Sequence, residues 1–203
     1  MNEIPRLQKN TKGTFPNTTI NHFIENYNIA DAIYGASLLH ACINRGDIIR
    51  NTGIYHLINV MGNYRIDRKK IWKTPTTLVL ELFTKYHKGV ILESKIKTEN
   101  FISPTLGKQP IYKNNKLIDA AVTKNNETYC ISIVNKSENK SVSVKLNNDL
   151  KITKTFTING SNKTDMNDYK NINKVKIKNN ILKAKDNHVT IPAHSINMIL
   201  LRD

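Results

Sequence analysis

Two cysteines, one tryptophan and sixteen acidic side chains are all that 203 residues hold of those types, and no apolar run approaches the ~20 residues of a bilayer-spanning helix. Without such a run the membrane drops out as a partner, and Met1 to Asn10 has no apolar stretch of the secretory kind. Cys42 and Cys130 stand far apart in no metal-ligand or redox spacing, so they read as small buried apolar residues in a reducing, cytoplasmic setting. His22, His40, His87, His188 and His194 form no His-x-x-x-His or His-x-Glu pairing, which leaves no basis for a metal centre, and no cofactor is expected.

The shortage of acid has a counterpart in thirty-one Lys and Arg, a formal charge of +15. Such a balance points to nucleic acid or an anionic surface when the cations cluster, and base readers favour the bidentate fork of Arg. Here only Arg6, Arg45, Arg50, Arg65, Arg68 and Arg202 carry a guanidinium. The remaining cations are Lys, scattered among Asn and Ile along the chain, a compositional bias rather than a binding stripe. No nucleic acid is expected as partner; a basic nucleic-acid-binding protein stays as an alternative whose affinity would fall steeply with salt.

With 39% hydrophobic residues the chain buries a core, and the period of its apolar pattern changes midway. Met1 to Tyr27, with Pro5, Gly13 and Pro16, reads as a loop. Asn28 is a good N-cap with Asp31 three residues on, and Ile29, Ala32, Ile33, Ala36, Leu39, Cys42 and Ile43 recur at helical spacing until Gly46. Ile48 to Val60 is mostly apolar and partly β-branched, which predicts a buried strand, and Asn63 to Lys70 reads as a polar loop. Pro75 then opens a second helix whose apolar face is Leu78, Val79, Leu82, Phe83 and Tyr86, ending at Gly89.

Helix, buried strand, helix is the unit of a parallel α/β sheet or barrel. One such strand has no partner, so residues 1–89 read as the end of a larger α/β structure, expected to be poorly ordered or aggregation-prone without it. From Val90 onward the period is two. Tyr129, Ile131 and Ile133 alternate with Cys130, Ser132 and Val134, and Val142, Val144 and Leu146 alternate with Ser141, Ser143 and Lys145. Lys124 to Glu127 and Asn135 to Lys140 read as hairpin connections, and further strands are expected at Thr153 to Ile158, Val175 to Ile177, Ile181 to Ala184, His188 to Ile191 and Ile196 to Leu200. Residues 90–203 are therefore expected to form an all-β antiparallel sandwich.

Several runs carry a family likeness. Ile29-Ala30-Asp31-Ala32-Ile33 with Leu38-Leu39, Leu57-Ile58-Asn59-Val60, and Trp72-Lys73-Thr74-Pro75-Thr76 with Tyr86-His87 resemble the end of the catalytic barrel in family 51 glycoside hydrolases, the α-L-arabinofuranosidases. Leu117-Ile118-Asp119-Ala120-Ala121, Val134-Asn135 and Ile191-Pro192-Ala193-His194-Ser195-Ile196 continue the likeness in the same order. The resemblance implies the last strand and helices of a (β/α)8 barrel over 1–89, followed by the C-terminal β-sandwich. It also implies a retaining hydrolase of terminal α-L-arabinofuranosyl residues in arabinan or arabinoxylan oligosaccharides, with two carboxyl groups about 5 Å apart as acid/base and nucleophile.

In that family the acid/base lies far upstream, and no residue here corresponds to it. The nucleophile belongs to a Glu-Trp pair, and Glu3 falls near its place, although Ile4 and Pro5 follow it. His56 takes the position of a family glutamine near the bound arabinose, and an imidazole can likewise donate to a sugar hydroxyl; Asn59 either orients the strand end or caps the next loop. The resemblance thus implies an arabinose-containing oligosaccharide as ligand, and the missing barrel portion or further copies of the chain as partners. The isolated chain is expected to be inactive. Trp72, Tyr55 and Tyr64 read either as sugar platforms or as packing anchors. The alternative of a non-catalytic carbohydrate-binding module would require an exposed aromatic strip, for which the sandwich offers Tyr112, Tyr129, Phe156 and Tyr169.

Overall fold

The computed structural model describes residues 27–202 except positions 60, 68, 104, 106, 109, 147, 148 and 186. The first part contains α1 (Ile29–Asn44), β1 (His56–Ile58), β2 (Gly62–Asp67), β3 (Lys70–Lys73) and α2 (Pro75–Tyr86). Short strands β4 (Val90–Leu92), β5 (Asn100–Ser103) and β6 (Tyr112–Lys116) lead into the long pair β7 (Ile118–Asn125) and β8 (Thr128–Asn135). The remainder is β9 (Val142–Lys145), β10 (Lys151–Asn159), β11 (Ile177–Asn179), β12 (Ala184–Lys185), β13 (His188–Ile191) and β14 (Ser195–Arg202).

Six strands make the central antiparallel sheet in the order β11-β10-β14-β8-β7-β4, and β12-β13-β9 form a smaller sheet. Strand alternation sends every second residue of the central sheet to one side. Cys130, Val134, Phe156, Ile158, Ile196 and Met198 join Ile29, Ala32, Ile33, Ala36 and Leu39 of α1 and Leu78, Val79, Leu82 and Phe83 of α2 in one core. Their neighbours Ile118, Ala120, Ile133, Ile199 and Leu201 point the other way and meet Leu146, Val189 and Ile191 of the small-sheet layer. The result is three layers: helices, central sheet, small sheet. Each fully buried aliphatic side chain contributes roughly 1.5–3 kcal/mol.

Both helices start where their caps dictate. Asn28 Oδ1 accepts from the backbone N–H of Ala30 and Asp31 at 2.8 and 3.2 Å, and the Asp31 carboxylate accepts from the N–H of Asn28 at 2.9 Å, a reciprocal capping box. The N–H of Ile29 reaches the carbonyl of Asp165, and the N–H of Ala30 is shared between Asn28 Oδ1 and the carbonyl of Lys163, both carbonyls in the loop after β10. Thr74 caps α2, with Pro75 at its first position. At Gly89, φ +77°, the chain turns so close to the Lys124 carbonyl that a Cβ would collide with it.

The first half departs from the sequence reading in two places. The buried strand expected over Ile48 to Val60 is a strand only at His56–Ile58, and its side chains are exposed, Leu57 to 66%. The expected polar loop Asn63 to Lys70 holds β2 and the start of β3, a hairpin with Ile66 opposite Ile71 and Asp67 opposite Lys70. Polar composition concealed two paired strands. The two helices, expected to want an absent partner, have one in the central sheet. Parallel pairing among the described residues is confined to β1 and β2, and the rest of the described pairing is antiparallel, as expected of a sandwich. The Asn135 to Lys140 connection is no hairpin: it carries the chain from the central to the small sheet. No helix among the described residues is long and apolar enough to cross a membrane.

Candidate functional site

Parallel strands usually need a crossover of a dozen residues, yet β1 and β2 pair with His56 opposite Gly62 and Ile58 opposite Tyr64 with only positions 59–61 between them. Left-handed backbone marks both ends of β1: Tyr55 before it and Asn59 and Met61 after it have φ of 67°, 57° and 50°. Of seven non-glycine residues with positive φ among those described, four are asparagines, which tolerate it. Two of the other three, Tyr55 and Met61, flank His56 and Asn59. Local strain of this kind gathers at functional sites.

His56 itself is exposed on β1, its backbone N–H donating to the Met61 carbonyl at 3.1 Å. Asn59 Oδ1 accepts from the Ile66 N–H at 2.8 Å, and its carbonyl accepts from the Arg65 guanidinium. Asn59 therefore closes the turn, and through it positions the end of β1. Glu3 lies outside the described residues.

Beside this turn a cleft of about 360 Å³ opens between β2, β3, α2 and the loop before β11, lined by Tyr64, Trp72, Lys73, Glu81 and Asn167 among others. Its one lining carboxylate, Glu81, is held by Lys73 at 2.6 Å; the same contact raises the ammonium's pKa. Trp72 is half-buried and meets Tyr169 edge-on at 6.4 Å, with Lys70 over the Tyr169 ring at 4.3 Å. Tyr55 stacks on buried Tyr27 at 4.4 Å. These are packing anchors. A second concavity, about 410 Å³ on the small sheet, is lined by Ser143, Lys183, Lys185, His188 and Thr190 and by no described carboxylate. Phe156 faces the helices and Tyr129 the opposite layer, while Tyr112 and Tyr169 lie apart on the surface, so the four sandwich aromatics make no strip.

A polar cluster that sequence reading missed lies between the helices and the central sheet. His40, fully buried on α1, and His87, which caps the C-terminus of α2, each bring Nε2 within 2.7 Å of Ser132 Oγ on β8. His40 Nδ1 is 3.4 Å from Asp119 Oδ2, and His87 Nδ1 is 3.1 Å from Thr123 Oγ1, both on β7. Asp119, His40 and Ser132 have the order of a nucleophilic triad. Ser132 is wholly buried and lines neither cavity, so no substrate reaches it.

Burial, and then the electrostatics of neighbouring His40, push the His87 pKa down to about 3. The C-terminus of α2 would favour a cation there by roughly 0.3–1 kcal/mol, too little to offset the desolvation. Burial pushes the Asp119 carboxyl up, but its contact with His40 and the nearby Lys136 prevail and hold it below the ordinary range. Cys130, on the same side of β8, is pushed by burial to about 12 and stays a neutral thiol. The signal available in sequence was Ser132, a hydroxyl between Cys130 and Val134 on a core-facing register.

A family model described as the α-L-arabinofuranosidase C-terminal domain matches residues 9–195. No curated protein matches the sequence. Among solved structures, the arabinose complex of α-L-arabinofuranosidase from Thermotoga maritima superposes with a TM-score of 0.80 at 19% identity, over 92% of this chain and 41% of that one. A family 51 α-L-arabinofuranosidase from Bifidobacterium longum gives 0.79 at 18% identity, over 90% and 36%. The family 51 enzyme from Thermotoga petrophila gives 0.76 at 19%, over 91% and 40%. The chain thus spans about two fifths of the length of these proteins, whose likeness at such identity is one of fold.

Proposed function

Since the chain belongs to the α-L-arabinofuranosidase C-terminal domain family, we propose that it serves as the C-terminal portion of a retaining glycosidase acting on terminal α-L-arabinofuranosyl residues of arabinan or arabinoxylan oligosaccharides. The observation that carries this reading is the surface before residue 92. Eleven of the seventeen exposed large apolar side chains among the described residues lie there, among them Leu57, Ile58, Ile66, Ile71 and Val90. Exposed apolar side chains gathered in one stretch of the chain are what a covering partner would bury. The natural partners are the barrel portion that the longer relatives possess, or further copies of the chain.

In this reading the strained β1–β2 turn presents His56 to a sugar hydroxyl, with Asn59 setting the turn. Retaining hydrolysis needs two carboxyl groups about 5 Å apart. The cleft between β2, β3 and α2 offers only Glu81, already engaged by Lys73. The purified chain is therefore expected to release no nitrophenol from nitrophenyl α-L-arabinofuranoside, and turnover above the no-protein rate would overturn the inactivity. Titration with arabino-oligosaccharide should move the His56 ring resonances. A spectrum unchanged at saturating sugar would remove the proposed contact.

A further inference from the structure

We propose that His40, Ser132 and His87 form an acid-operated latch that holds both helices on the central sheet. Each helix supplies one imidazole, and both converge on a single hydroxyl. A hydroxyl has one proton to give and two lone pairs to accept with, which fixes the order of protons along the chain. His40 Nδ1–H faces the Asp119 carboxylate, so His40 Nε2 accepts from Ser132 O–H. His87 Nε2–H then donates to Ser132 Oγ, and His87 Nδ1 accepts from Thr123 O–H. In this order Ser132 Oγ, both nitrogens of His87 and Nε2 of His40 have their partners, while His40 Nδ1 keeps only its 3.4 Å approach to the Asp119 carboxylate.

A proton on His87 removes that order. His87 Nδ1 would then carry an N–H toward Thr123 Oγ1, 3.1 Å away, and the Thr123 hydroxyl proton would have to turn from the ring. Phe83 packs against both rings, at 5.5 Å from His40 and 5.0 Å from His87, and offers no acceptor. The charged groups recorded around the chain are Asp119 and Lys136, 3.9 Å apart on the His40 side; Cys130 is neutral, and no described carboxylate contact faces His87. The sign follows from linkage. His87 binds its proton more weakly folded than unfolded, so stability is full above about pH 6.5, falls as pH drops toward about 3, and levels off below.

The test uses the full chain and the variant His87→Gln, whose neutral amide offers a donor and an acceptor in place of the ring nitrogens. The wild-type melting temperature should fall by about 10 °C between pH 7 and pH 4, with amide exchange in α1 and α2 rising ahead of exchange in β8 and β14. In His87→Gln the fall should be at most half as large. Equal pH dependence in both proteins would overturn the latch. Should the variant not fold at pH 7, long-range proton–nitrogen spectra of the wild type decide. Persistence of the neutral Nε2–H form of His87 until the helices release supports the latch; titration of His87 near pH 6.5 in an intact fold overturns it.

Discussion

The two faces of the central sheet bury comparable apolar side chains but different polar ones. Toward the helices the buried polar groups include histidines and, partly buried, a carboxylate: His40, His87 and Asp119 around Ser132. Toward the small sheet they are amides and hydroxyls. Thr157 donates to Asn197 Oδ1 at 2.9 Å, Asn197 donates to Ser195 at 2.8 Å, and Asn135 ties β8 to the carbonyls of Lys140 and Pro192, both at 2.9 Å. Amides and hydroxyls keep their protons across the whole accessible pH range, whereas imidazoles do not. The cluster on the helical face can thereby respond to acid, whereas the amide and hydroxyl network on the other face keeps its protons.

Four substitutions test that division, the largest effect first. Met198 and Ile199 are adjacent, fully buried and directed to opposite layers. Replacing either by Ala should cost ~2–5 kcal/mol in urea denaturation at pH 7; a loss below ~1 kcal/mol for Met198→Ala would mean that the helical layer adds little. Asn197→Ala leaves the Thr157 hydroxyl and the Ser195 oxygen short of a partner and should cost ~1–3 kcal/mol. That loss should be the same at pH 7 and pH 5, and a marked pH dependence would break the contrast. Asn28→Ala removes the α1 cap, worth about 1 kcal/mol. Its effect should appear as faster exchange in α1, with β13 unaltered.

Much of this architecture was legible in local pattern. The stripe from Ile29 to Ile43 and the Asn28–Asp31 pair set α1 to within a residue or two, and Pro75 marked α2, because caps and periodicity are short-range. Strands β8 and β9 declared themselves by alternation, and β10 and β14 by short runs of β-branched and apolar residues between turn-rich segments. What stayed hidden depends on distance along the chain. His40 and Ser132 are 92 residues apart and His87 and Ser132 are 45 apart, so no window of sequence shows that they meet. The run Ile48 to Val60 misled for a related reason: apolar composition signals a surface that wants cover, and cannot say whether the same chain supplies it. The place of His56 at the candidate site came from family likeness, and its strained setting emerged only with the backbone.

The position of β14 carries a consequence in time. Residues Ser195 to Arg202 form the third strand of the six, hydrogen-bonded to β10 on one side and β8 on the other. A ribosome must therefore pass Arg202 before the central sheet can close around β14, and until then α1 and α2 lack part of their sheet face. Pairing between such distant segments is slow. During that interval Ile158, Val134 and the helix stripes stay without their β14 partners Ile196 and Met198.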